Sequence, residues 1–281
     1  MTKLEEYYNK FNEEKRLSSR HGQVEFRVSM HYIEEYIKRV CMQCRLQANN
    51  DGYADCDEED NRCIKILDIG AGTGRYSIPL SLKGYDVTAV ELVKHNVARL
   101  KQFAEKQGAN LTAYQGNALK LKKFADETFD LTLLFGPMYH LYNDQDKIQA
   151  LNEAKRVTKK GGYILVAYCL NEYAVIMHGF KDRHFKEALD NGKLDKNYKT
   201  VSSEEDLYEY VNIYDVNSYN EACGLERVKI ISPDGPADFI RESLKAMTEE
   251  EFDLFVDYQL KNAERPDLIG AGSHIVDILK K

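Results

Sequence analysis

Leu67-Asp68-Ile69-Gly70-Ala71-Gly72-Thr73-Gly74-Arg75 decides the reading of this chain, because it runs an apolar segment straight into three glycines at alternate positions. Ile64 to Ile69 alternates too little for a half-exposed strand and reads as a buried parallel one. The glycines remove Cβ atoms and permit a tight bend. Tyr76-Ser77-Ile78-Pro79-Leu80 then begins a helix whose unpaired N–H groups face that bend. Strand, glycine turn and helix in this order let a ligand approach backbone, which is a cofactor-binding geometry.

Spacing narrows the choice of cofactor. The dinucleotide fingerprint G-x-G-x-x-G places its third glycine where helix and strand pack closely. Counted from Gly70 or Gly72, that position holds Arg75 or Ser77, neither of which is small enough. No Lys-Ser or Lys-Thr follows the glycines, so the phosphate loop is absent as well. A second apolar strand, Val87-Thr88-Ala89-Val90, ends at Glu91. In a parallel sheet that carboxylate lies beside the glycine turn and can accept two hydrogen bonds from a ribose diol. Turn and acid together indicate adenosine.

With these residues in place the sequence resembles the class I S-adenosylmethionine-dependent methyltransferases, and within them the small-molecule type. The resemblance rests on LDIGAGTG at 67–74, VTAVEL at 87–92, QGNALKL at 115–121, FDLTLLFGPMYHL at 129–141 and GGYILVAY at 161–168. It implies a Rossmann-like α/β fold, a seven-stranded mostly parallel sheet flanked by helices. S-adenosylmethionine is the implied cofactor and S-adenosylhomocysteine the product. It further implies Asp68, Gly70, Ala71, Gly72 and Gly74 near the methionine moiety, Glu91 and Leu92 around the ribose, and Asn117 and Ala118 at adenine. Many members carry aspartate where this chain has Asn117, whose amide still accepts a hydrogen bond but brings no charge.

Along the chain, residues 1–62 read as a helical arm and polar loop, and 63–281 as the methyltransferase domain. Val28, Tyr32, Ile33, Tyr36, Ile37 and Val40 recur at helical spacing and predict a helix over 26–46 that packs on the sheet or covers the cofactor opening. Residues 49–62, with the acid run Asp57 to Asp60, read as an exposed polar turn. Helices are expected near 75–83, 95–107 and 144–157, and further strands at 111–114, 129–134, 163–168, 226–232 and 274–279. Four successive βα crossovers favour a parallel sheet. The polar, tyrosine-rich stretch 171–220 reads as a cap rising from the carboxyl edge. Within it Ser203 and Asp206 have the spacing of a helix start. Residues 249–266 read as an added helix packed against the last strand.

Chemistry is expected in Phe135-Gly136-Pro137-Met138-Tyr139-His140-Leu141, directly after the fourth strand. In a switch-point fold this loop faces the cofactor, which places Phe135 against it. The loop lacks the Asn/Asp-Pro-Pro-Tyr signature of enzymes that methylate nucleobase amino groups. The resemblance suggests that Tyr139 or His140 touches the acceptor, and His140 is positioned to take a proton near neutrality. Because the sulfonium already activates the methyl group, no protein nucleophile is required. The acceptor is expected to enter between 135–141 and 171–220, with the N-terminal helix helping to enclose it.

Cys41 and Cys44 form a C-x2-C pair that Cys56 and Cys63 can extend to four sulfur ligands. Against zinc, the pair continues a helix and Cys63 abuts the first strand, so no metal is expected; Cys169 and Cys223 read as apolar fillers.

Net charge of −7 and a pI near 5.6 give no general attraction to nucleic acid, and none is expected as a partner. No run of eighteen apolar residues exists, so neither membrane insertion nor a secretory signal is expected, and the default location is cytoplasmic. The patterning specifies no oligomeric state. A protein or nucleic-acid methyltransferase, or a noncatalytic cofactor-binding protein, are the alternatives the same motifs allow.

Overall fold

The computed structural model describes residues 6–7, 19–51 and 63–281, with backbone only at 44–51. Its sheet runs β1 (Lys65–Ile69), β2 (Asp86–Glu91), β3 (Thr112–Gln115), β4 (Phe129–Leu134), β5 (Thr158–Cys169), β6 (Glu226–Ile231) and β7 (His274–Lys280). The strand order is β3-β2-β1-β4-β5-β7-β6. β7 alone is antiparallel, inserted between β5 and β6. This is the seven-stranded, mostly parallel sheet flanked by helices that the motifs imply.

Alternation along β1 divides the core. Ile64 and Ile66 face one layer, with Val28, Ile33, Tyr36 and Ile37 of α1 (Arg20–Asp51) packed on Leu131, Leu133, Leu165 and Ile278. Leu67 and Ile69 face the other, where Ala150, Leu151 and Ala154 of α4 (Asp144–Val157) meet Val216 and Tyr219 of α5 (Ile213–Cys223). Every residue of β4 is buried, as befits the middle of a sheet covered on both sides. Between them α2 (Ser77–Leu82) and α3 (Lys94–Gln107) carry the crossovers, and α3 stops at Gly108 in the left-handed conformation, φ 72°.

Several boundaries differ from the periodicity. α1 begins at Arg20 and continues to Asp51, into residues expected to turn. β5 starts at Thr158, five residues early, because Thr158 pairs with Phe129 across a bulge around Asp130 and Lys159 Nζ donates to Asp130 Oδ1 at 2.7 Å. The helix α6 (Glu249–Asn262) stops before Pro266 as expected but packs chiefly along α1. Arg27 bonds Asp253 at 2.6 Å, and the Arg20 guanidinium lies 4.8 Å from the Phe252 ring centre. The acid run 57–60, Cys56 and the side chain of Cys44 lie outside the described residues; Cys41 is half-buried, Cys63 is exposed, and Cys169 and Cys223 are buried. Among the described residues no group of three His, Cys, Asp or Glu is arranged to hold a metal. No described helix is long and apolar enough to cross a membrane.

Candidate active site

Three strand ends converge on one glycine turn. The N–H groups of Gly70 and Ala71 both donate to the Val90 carbonyl, at 2.8 and 3.2 Å, so the turn leans on β2. Gly70, Gly72 and Gly74 all have positive φ, 80°, 54° and 94°. At Gly70 the need is also spatial, since a Cβ there would lie 2.5 Å from Pro137 Cδ and 2.9 Å from the Phe135 carbonyl oxygen. The turn and the post-β4 loop thus touch backbone to backbone, and only glycine fits.

Glu91 closes the next loop. Its Oε2 accepts from Gly72 N at 2.9 Å and its Oε1 from Val93 N at 2.8 Å, while its carbonyl receives Gly116 N at 3.0 Å. One carboxylate therefore ties the turns after β1 and β2 together, and it is 7% exposed on the cavity wall. Beyond it, Asn117 Oδ1 accepts from Leu119 N at 2.9 Å, fixing the turn after β3.

These loops surround a cavity of about 800 Å³, within the range of small-molecule sites. Gly70, Gly72, Glu91, Leu92, Asn117, Ala118, Phe135, Tyr139 and His140 line it. Asp68, Ala71 and Gly74 do not. A Cβ at Gly74 would meet Ile78 and Leu100, so this glycine serves helix packing. Asp68 is buried beneath the turn, where Ser77 Oγ donates to its Oδ2 at 2.5 Å and its Oδ1 has no hydrogen-bond partner among the described residues. S-adenosylmethionine fits this end of the cavity. The cradle has room only because glycines form it, and the Glu91 carboxylate on its wall, with Asp68 buried beneath the turn, suits a ligand bearing a sulfonium and an ammonium.

Burial, opposed by the Ser77 bonds, pushes the Asp68 carboxyl up to about 6. A carboxyl raised in the folded state favours folding below the unfolded value near 4 and loses that advantage as pH climbs through 6. Above 6 the buried charge costs about 3 kcal/mol. Asp68→Asn is therefore expected to raise the melting temperature of the cofactor-free protein at pH 7.5, with the gain shrinking towards pH 4. An equal shift at both pH values would show that Asp68 carries no such cost.

The far wall comes from the post-β4 segment, where Pro137–His140 forms one tight helical turn, and from the cap. The cap opens with short helical pieces, Asn171–Ala174 and Val175–Lys181, then Phe185–Asp190. Asn171 holds its return, donating to the Tyr198 carbonyl and accepting from Thr200 N. Ser203 and Asp206 do pair, Ser203 N donating to Asp206 Oδ2 at 2.8 Å, but they close a turn and no helix follows. This turn, Glu204 to Leu207, lies on the cavity wall. His140 Nδ1 bonds the Leu207 carbonyl at 2.8 Å, Tyr142 OH donates to the Asp206 carbonyl at 2.6 Å, and Glu209 N donates to the Tyr139 carbonyl at 2.8 Å. Because a carbonyl only accepts, His140 carries a proton on Nδ1. The Lys147 ammonium, fully buried on α4, lies 3.7 Å from the Glu209 carboxylate; burial lowers the first pKa and raises the second.

The cap is expected on the acceptor side, but the sequence does not single out which of its residues, 204–207, reach the cavity wall, nor Asn96, Asn143 and Asp146, which also line it. The Ser203/Asp206 spacing was the available signal, and it is shared by helix starts and by isolated turns.

Known proteins bear the same pattern. The methyltransferase domain family matches residues 67–166. A glycine/sarcosine N-methyltransferase from Aphanothece halophytica is 25% identical over 207 residues, 70% of this chain and 78% of that protein. A ubiquinone biosynthesis O-methyltransferase from Rickettsia prowazekii is 31% identical over 98 residues, where the match spans only 37% of its length. Among solved structures, a SAM-dependent methyltransferase from Methanosarcina mazei superposes with a TM-score of 0.53 at 17% identity, covering 80% of this chain and 94% of that one, and so shares the fold.

Proposed function

Since this chain is a class I S-adenosylmethionine-dependent methyltransferase, we propose that it methylates a small-molecule nucleophile held between the post-β4 turn and the cap. The observation that carries the reading is the single cavity that joins the glycine turn and Glu91 to Tyr139, His140 and the 204–207 turn. Relatives named for glycine and sarcosine and for ubiquinone biosynthesis support a small acceptor. The acidic chain, net charge −7, favours that over a nucleic acid. A cytoplasmic location, residues 63–281 as the catalytic domain, 1–62 as its arm and 171–220 as its cap belong to the same reading.

When bound, the cofactor supplies an activated methyl group on a sulfonium. The chain's own work is alignment and exclusion of water. Gly70 and Gly72 let the backbone come close, Glu91 accepts from the ribose hydroxyls, and the Asn117 and Ala118 turn borders adenine. Phe135 backs the reacting end through an aromatic row in which Tyr76 lies 5.1 Å from it and Phe26 5.5 Å from Tyr76. Tyr139 and His140 meet the acceptor.

Tritiated methyl transfer into an extract separated into metabolite, protein and nucleic-acid fractions tests this. Label is expected among metabolites; label only in macromolecules would overturn the acceptor class, and tight cofactor binding without turnover would overturn catalysis. With the acceptor in hand, Tyr139→Phe is expected to raise its KM several-fold through loss of one hydroxyl contact. His140→Ala is expected to slow transfer about tenfold, as alignment loosens. Unchanged kinetics in both variants would remove this wall from the acceptor site.

A further inference from the structure

The first turn of α3 carries a polar side chain that neither the glycine turn nor the strand-end acid accounts for. One face of this helix is apolar: Val97, Leu100 and Ala104 are buried, and the first two pack with Ala71, Ala89 and Ala113. Asn96 stands on the same face, four residues before Leu100. It is 3% exposed and lines the cavity. Its side-chain amide has no hydrogen-bond partner among the described residues. A buried amide without a partner destabilises the folded chain, and leucine, of similar shape, would avoid that cost.

Local geometry puts this amide beside Glu91. Val93 is the N-cap of α3 and Asn96 the third residue of the helix. A polar side chain at that position ordinarily reaches back to the N-cap N–H. Here the Val93 N–H already donates to Glu91 Oε1, at 2.8 Å, so Asn96 is excluded from the local bond by the carboxylate next to it. Both residues line the cavity, with Leu92 and Val93 between them in sequence and also on its wall. The two side chains are complementary as a recognition pair, because a carboxylate only accepts and an amide nitrogen donates. A ribose hydroxyl that gives its proton to Glu91 keeps lone pairs on its oxygen, and adenine N3, on the sugar side of the base, is an acceptor outright.

We propose that Asn96 determines recognition of the cofactor's nucleoside, its Nδ2 donating a hydrogen bond to an acceptor atom beside Glu91, either a ribose hydroxyl oxygen or adenine N3. The proposal rests on the reading that puts the ribose at Glu91. In the cofactor-free chain the bare amide weakens the fold, and the bound nucleoside relieves it. The same side chain therefore lowers stability and raises affinity. A residue kept for packing alone acts in the opposite sense: its replacement lowers stability and leaves affinity unchanged.

Asn96→Leu in the full chain separates the two roles. Without cofactor the variant is expected to melt about 2–4 °C above wild type, as an unpaired amide gives way to apolar packing. Its affinity for S-adenosylhomocysteine in calorimetry is expected to fall about tenfold. Analogues of S-adenosylhomocysteine locate the bond: the 2′-deoxy, the 3′-deoxy and the 3-deazaadenine compounds each lack one acceptor atom. The tenfold gap between wild type and Asn96→Leu is expected to close to within about twofold for one of the three, which identifies the ribose or the base as the partner, and to persist for the others. Unchanged affinity in Asn96→Leu, or a gap that persists with all three analogues, would overturn the proposal while leaving the cofactor reading intact. Wild-type protein that fails to bind S-adenosylhomocysteine overturns that reading, and the proposal with it.

Discussion

Gly70→Val is expected to abolish cofactor binding, with S-adenosylhomocysteine affinity reduced at least about 100-fold in calorimetry. Two costs combine. A branched residue at φ 80° is strained by roughly 1–2 kcal/mol. Its Cβ, 2.5 Å from Pro137 Cδ and 2.9 Å from the Phe135 carbonyl, also pushes the turn and the post-β4 loop apart. Both loops line the cavity, so a displacement that leaves the sheet intact still spoils the cradle. Each 1.4 kcal/mol is tenfold in affinity. Retained affinity in a folded Gly70→Val protein would show that the cofactor does not lie on this turn.

Glu91→Ala is expected to do nearly as much harm, by a different route. The carboxylate holds Gly72 N and Val93 N, and its removal strips two backbone donors of their acceptor besides losing the contact proposed with the ribose. At about 1–3 kcal/mol for each unsatisfied group, affinity is expected to fall roughly 100-fold or more. Glu91→Gln keeps one carbonyl oxygen and is expected to cost only about tenfold. The comparison separates anchoring from charge. Equal losses in the two variants would mean that charge alone matters, and no loss in either would move the ribose elsewhere.

Much of this arrangement was legible in the residues. Glycines at alternate positions after a buried apolar run have few uses, and Glu91 at the end of the next strand gave the site its second fixed point. β4 and α4 follow from sequence to the residue, because each is bounded by turn-forming or capping residues: Asn143 accepts from Asp146 N at 2.8 Å at the start of α4. What escaped was produced by tertiary contact. The early start of β5 depends on pairing across a bulge with β4, which no local pattern carries. The Ser203/Asp206 turn has the spacing of a helix start but lacks the apolar face that would let a helix pack. Asp234 and His274 stand 40 residues apart in sequence, and only the antiparallel insertion of β7 brings them together.

That insertion also sets the order in which the molecule can be completed. β6 has no parallel neighbour to join; it reaches the sheet only through β7, whose residues leave the ribosome after all the others described. Until then β5 presents an unpaired edge. Contacts of such long sequence separation form slowly and leave apolar edges exposed meanwhile. A nascent chain ending before residue 274 is therefore expected to engage chaperones or aggregate, because it lacks the strand that joins the two parts of its sheet.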